Sequence, residues 1–225
     1  MKRMISATLV MAALALPGML QAQACIGVPS QDRQFGLAGA MGFTEGQKMY
    51  GGELSANLAG PLTVGGGYAL VKPDDVDTNG NHFTGRAAFE LPVASVSVCP
   101  TSGLGYTRFH EEEAGESATV TATVIPVGVG FGKSMRAGEN MSITFAAIPQ
   151  FLYIKNRVET SGTLNMEAED SENAFGADFG VNLGMRSWYV GGGASFNTVE
   201  GSEPVFQVGL GILFGGPRST RVSSR

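Results

Sequence analysis

From residue 34 onward the chain runs in a two-residue rhythm. Phe35, Leu37, Met41 and Phe43 are interleaved with Gln34, Gly36, Ala38, Ala40 and Gly42. The next segments repeat the pattern, with Tyr50, Leu54, Ala56 and Leu58 against Gly51, Glu53, Ser55 and Asn57, then Leu62, Val64, Tyr68 and Leu70 against Thr63, Gly65, Gly67 and Ala69. A period of two sends successive side chains to opposite faces of a strand. Each segment therefore has one greasy face and one small or polar face. Phe83, Ala87, Phe89 and Leu91 continue it opposite His82, Thr84, Arg86, Ala88 and Glu90, followed by Val96, Val98, Leu104 and Tyr106. It is cleanest near the C-terminus, where Phe175 to Met185, Trp188 to Phe196 and Phe206 to Phe214 each present apolar residues at every second position.

Two middle segments fit less well. Residues 119–133 change phase around Pro126, as a bulge would make them do, and 141–154 carry Ile148, Leu152 and Ile154 on the face that should be polar. With these included, the pattern predicts an all-β chain of about ten strands, mostly 9 to 13 residues long, with eight as the alternative count. A tilted strand crosses a bilayer in about 9 to 11 residues. The expected fold is a single up-and-down antiparallel transmembrane β-barrel.

The connections also alternate. The odd-numbered ones, at residues 44–48, 73–81, 110–116, 156–172 and 198–203, are expected to be the longer loops. The second, fourth and eighth are tight turns at Gly60-Pro61, Pro92-Val93 and Arg186-Ser187, with residues 134–139 intermediate. Of the 20 acidic residues, 15 fall in the odd-numbered connections, while Lys133, Arg136 and Arg186 sit toward the other rim. A barrel with two unlike ends gives this division.

Lys2 and Arg3, an apolar run from Met4 to Leu16, Pro17-Gly18 and Ala22-Gln23-Ala24 form a secretory signal peptide over residues 1–24. A short N-terminal segment, 25–32, then precedes the barrel at 33–214, and a basic tail occupies 215–225. Loss of Lys2 and Arg3 takes the formal charge from −5 to −7, and an acidic chain without basic clusters excludes nucleic acid as a partner. The two cysteines, Cys25 and Cys99, allow two readings. Cys25 carries a lipid at the mature N-terminus, or it forms a disulfide with Cys99 in an oxidising compartment.

These features together resemble the small outer-membrane β-barrel proteins of Gram-negative bacteria. The resemblance spans residues 33 to 214 and is most specific in the last strand. There Gln207, Gly209, Ile212 and Phe214 match the polar, glycine, hydrophobic, hydrophobic spacing read by the barrel-assembly machinery. It implies insertion into the outer membrane by that machinery, among phospholipid and lipopolysaccharide. The family usually ends on the terminal aromatic, whereas here Gly215 to Arg225 follow.

Little in the sequence points to chemistry. Glu53, Arg86, Glu90 and Asp178 fall on the small polar face and would form a charge network in the lumen, because charges within a membrane protein pair or face water. Asp75, Asp77 and Asn79 match the start of a calcium loop, but Arg86 stands where a bidentate Glu belongs, and a polar turn explains them equally. His82 and His110 are the only candidates for general-base work. His110, among Glu111, Glu112 and Glu113, has no adjacent serine. No cofactor motif is present. The sequence is thus read as a non-enzymatic outer-membrane barrel that stabilises the envelope, presents surface loops or passes small solutes. The alternative is a soluble periplasmic or secreted β-barrel with its apolar face turned inward on an apolar ligand.

Overall fold

The structure, a computed structural model, describes residues 33–217 apart from 59–60, 75–77, 94, 114–115 and 163–164. The expected signal peptide, Cys25, Asp75, Asp77 and the tail from Arg218 lie outside the described residues. Eleven strands form: β1 Arg33–Thr44, β2 Gln47–Asn57, β3 Leu62–Pro73, β4 Gly80–Phe89, β5 Leu91–Val93, β6 Val96–Glu113, β7 Glu116–Arg136, β8 Met141–Ser161, β9 Met166–Met185, β10 Trp188–Asn197 and β11 Val205–Pro217. Apart from β4 and β5, consecutive strands pair antiparallel, β1 pairs with β11, and β4 pairs with β6. The sheet therefore closes on itself. Short β5 continues β4 past Glu90 along the same partner, β6, so the wall has ten staves. Closure leaves no free edge around the wall, which is what a sheet in hydrocarbon requires.

The greasy face points out. Leu37, Met41, Leu54, Phe83, Leu104, Phe131, Phe179, Leu210 and Ile212 are among the large apolar side chains left exposed, while Ala38, Ala40, Ser55, Asn182 and Gln207 on the interleaved face are buried. This is the reverse of what a water-soluble barrel needs. On three neighbouring staves the outward positions of the belt, apolar except for Lys133, run 125–135 in β7, 143–153 in β8 and 175–185 in β9, each about the eleven residues of a tilted crossing.

Strands β6 to β9 are longer than the expected 9 to 13 residues, reaching 18, 21, 21 and 20. The segments expected as loops at 110–116 and 156–172 are instead continuations of two β-hairpins, paired through Glu113↔Glu116 and Thr160↔Met166. The first connection is likewise a two-residue turn at Glu45 and Gly46, whose positive φ of 78° suits glycine. The rims differ chiefly in how far their strands project. Four strands stand beyond the bilayer-thick wall as an arm at the rim opposite the two chain ends.

The arm also explains the two irregular segments. Pro126 causes no bulge: the β6–β7 register is the same from Ser97↔Gly132 through Glu113↔Glu116. What changes along β7 is the solvent. Between 125 and 131 the outward residues are Ile, Val, Val and Phe, facing hydrocarbon. Between 119 and 123 they are Thr, facing water, and the apolar residues, Val120 and Ala122, turn inward. Ile148, Leu152 and Ile154 obey the same rule, being buried inside the barrel with no slip of register.

Candidate functional site

The lumen is the concave surface of the molecule, and its side chains fall into three levels. At the arm end, Met49, Ala69, Val71, Phe109, Val120, Ala122 and Val205 pack into one cluster drawn from β2, β3, β6, β7 and β11. Leu152, Ile154, Ala174 and Val199 form a second cluster from β8, β9 and the β10–β11 connection. Gly80 leaves the space that the Phe109 ring occupies, since a Cβ there would overlap it. At the middle, Arg86 Nη2 donates to Glu53 Oε2 at 3.0 Å, with both side chains about nine-tenths buried. His82 Nδ1 lies 2.8 Å from the Thr107 hydroxyl, four residues along β4 from Arg86 toward the arm end. On the far wall Gln150 Nε2 donates to Asp178 Oδ2 at 2.8 Å. At the rim with the chain ends, Tyr189 is buried with Ala38 and Leu213 over Gly211, where any side chain would meet its ring.

Of the four residues expected to form one charge network, two meet directly. Glu53 and Arg86 form a pair, because β2 and β4 both flank β3 and their inward positions meet across Gly65 and Gly67. Glu90 lies at the chain-end rim, where it accepts a hydrogen bond from Ser97 at 2.6 Å. Asp178 is on β9. Sequence alternation put all four on one face but carries no information about position around the barrel.

Cys99 is fully buried beside Ala88 and is disulfide-bonded, whereas its candidate partner Cys25 lies outside the described residues. Asn79 is exposed. In the last strand Gln207 and Gly209 point inward, while Ile212 and Phe214 point out and Phe214 stacks on Phe35 at 5.6 Å across the closing seam.

On the outer face of the arm, His110 Nδ1 sits 2.9 Å from the Thr119 hydroxyl and its Nε2 3.2 Å from Glu112. Sequence reasoning missed Thr119, which only the β6–β7 register brings opposite His110. A hydroxyl, an imidazole and a carboxylate in line are the elements of nucleophilic catalysis. Here they lie exposed on the outer face of the β6–β7 ladder, where β6 has passed the end of its pairing with β4. Nearby, Lys155 pairs with Glu169 at 2.9 Å, and Arg157 with Glu159 at 2.7 Å and Glu167 at 2.9 Å. At the same rim Lys48 donates to Asp74 at 2.8 Å, and that hydrogen bond, with the carboxylate's charge, holds the ammonium above its ordinary pKa. Among the described residues, no group of His, Cys, Asp and Glu is placed to hold a metal ion.

No protein-family model matches the chain, and no curated protein matches it. Similar solved structures include the N-terminal β-barrel domain of Pseudomonas aeruginosa OprF, 11% identical, with a TM-score of 0.40 over 81% of this chain and 98% of the other. The outer membrane protease OmpT of Escherichia coli is 10% identical, with a TM-score of 0.45 over 81% and 94%. The attachment invasion locus protein Ail of Yersinia pestis is 12% identical, with a TM-score of 0.40 over 81% and 97%. The fold assignment rests on the strand pairing and the outward apolar belt described above.

Proposed function

We propose that the chain is an outer-membrane barrel closed to solutes, without catalytic activity of its own, which mounts a rigid four-stranded arm on the cell surface. The observation that carries this reading is the apolar packing of Met49, Val71, Phe109, Val120 and Val205 across the arm end of the lumen. Water and ions do not pass a packed hydrocarbon constriction readily, and a lumen so filled favours a structural plug over a conducting path. The arm is the other support. Its outward face is polar and laced with half-exposed ion pairs, each worth little to stability, and its hairpins are held by ladder hydrogen bonds along their length.

In this reading the signal peptide exports the chain, and the assembly machinery reads Gln207, Gly209, Ile212 and Phe214. Outer-membrane phospholipid and lipopolysaccharide surround the belt. The disulfide of Cys99 closes on Cys25, tethering the N-terminal segment to β6 and leaving that cysteine unlipidated. Planar-bilayer recording of the purified protein tests the closed lumen. The expected result is a silent membrane. Unit conductance that falls when Glu53 or Arg86 is replaced would make the barrel a narrow pore instead.

A further inference from the structure

One charged side chain breaks the outward belt. Lys48, Lys72 and Arg108 face outward at the arm end of the wall, and from there to the chain-end rim the outward positions of the described strands carry apolar, aromatic, small or uncharged polar residues, except for Lys133 on β7. Among the described residues no ion pair includes Lys133. It sits two residues from Met135, the last outward apolar position of its strand, and its register partner on β8 is Phe145. An ammonium facing hydrocarbon is costly unless it snorkels to the interface or meets an anion. The chain-end rim also carries Arg136 and Arg186 beside Glu90 and Glu139, and none of the ion pairs found among the described residues lies there.

Beside Lys133 the wall is hollowed. Along one row of the sheet the register runs Phe131↔Ala147↔Phe179↔Ala194, so two rings stand apart over alanine. Gly192 lies in the adjacent row, opposite Val181. The result is an apolar groove of about 490 Å³ on the outer surface, floored by Ala147, Gly192 and Ala194, walled by Phe131 and Phe179, with Lys133 at its edge. That volume falls within the ~300–1,000 Å³ typical of ligand clefts.

Resting on the outer-membrane reading above, we propose that this groove holds one glycerophospholipid of the leaflet on the chain-end side. An acyl chain lies over Ala147 between the two rings, and the phosphate meets the Lys133 ammonium. Charge complementarity selects the occupant: an unpartnered cation at headgroup depth next to a channel for hydrocarbon fits a molecule with an anionic phosphate and an apolar tail. A bulk annular lipid would need only the apolar wall. The groove and the cation on the same staves supply both halves of a site.

Native mass spectrometry of the full chain, released from membranes in mild detergent and titrated with dioleoylphosphatidylglycerol, tests this. The wild type should retain one phospholipid. Lys133→Gln should weaken retention about tenfold, as loss of a charge-assisted hydrogen bond does, and Ala147→Phe should abolish it by filling the groove. Ala87→Phe, also outward but on β4, should leave it unchanged. Equal retention by all four proteins, or none by a folded wild type, overturns the proposal. So does a dimer that Ala147→Phe dissociates, since the groove would then be an interface between copies, and so does displacement by lipopolysaccharide alone. Heat-modifiable gel migration reports folding of each variant. A wild type that is neither heat-modifiable nor membrane-bound would defeat the barrel reading itself, which separates the two failures.

Discussion

Glu53 and Arg86 show how much a single buried pair depends on both members. Each is almost wholly enclosed, so removing one leaves an uncompensated charge, at a cost of about 3–5 kcal/mol, whereas removing both together need not. Glu53→Gln and Arg86→Met should each lower the denaturant midpoint of the folded barrel, and the double variant should recover much of the loss. Additive losses in the double-mutant cycle would mean that the two side chains do not act as a pair. Tyr189 depends on an absence. Gly211→Val places a branched side chain where the ring lies and should destabilise by about 1–3 kcal/mol as an overpacking change, while Gly85→Ala, with open space at its Cβ, should be nearly neutral. Thermal loss of the heat-modifiable band would report both.

Among the elements, β7 and β8 carry the lesson about sequence. Their faces were legible, because alternation assigns Phe131 and Phe145 to one side and Gly132 and Ala146 to the other. The apparent faults at Pro126, Ile148, Leu152 and Ile154 had a cause that periodicity does not encode. Hydrophobic alternation records which face avoids water, and along these strands the face touching water changes where they leave the bilayer. The same limit made the arm look like loops: Asn156 to Glu172 is rich in charge and lacks a greasy outward face, yet its ladder continues unbroken. The lumen was legible as a polar face but not as a map. The pairing of Glu53 with Arg86, the hydrogen bond from Gln150 to Asp178 and the approach of Thr119 to His110 all depend on which staves are neighbours. At this scale the prediction concerns energy. Phe109→Ala should cost about 3–5 kcal/mol through lost packing at the plug, whereas Lys155→Ala, half-exposed on the arm, should stay within about 0.5 kcal/mol of wild type. Equal effects in equilibrium unfolding would contradict the division between plug and surface.

For the whole molecule, the account joins an apolar exterior, a filled interior and a projecting arm, and all three follow from one statement about where the hydrocarbon lies. β8 crosses every zone, which makes it the strand to probe. Single spin labels at successive positions from 143 to 159, in protein reconstituted into phospholipid vesicles, would report their exposure to dissolved oxygen, which concentrates in lipid, and to a water-soluble nickel chelate. The account predicts oxygen exposure at 145, 147, 151 and 153 with protection at 144, 146, 148 and 152. From 155 onward the outward positions should become accessible to the chelate. Oxygen exposure at the even-numbered positions, or chelate access at 145 and 151, would contradict it.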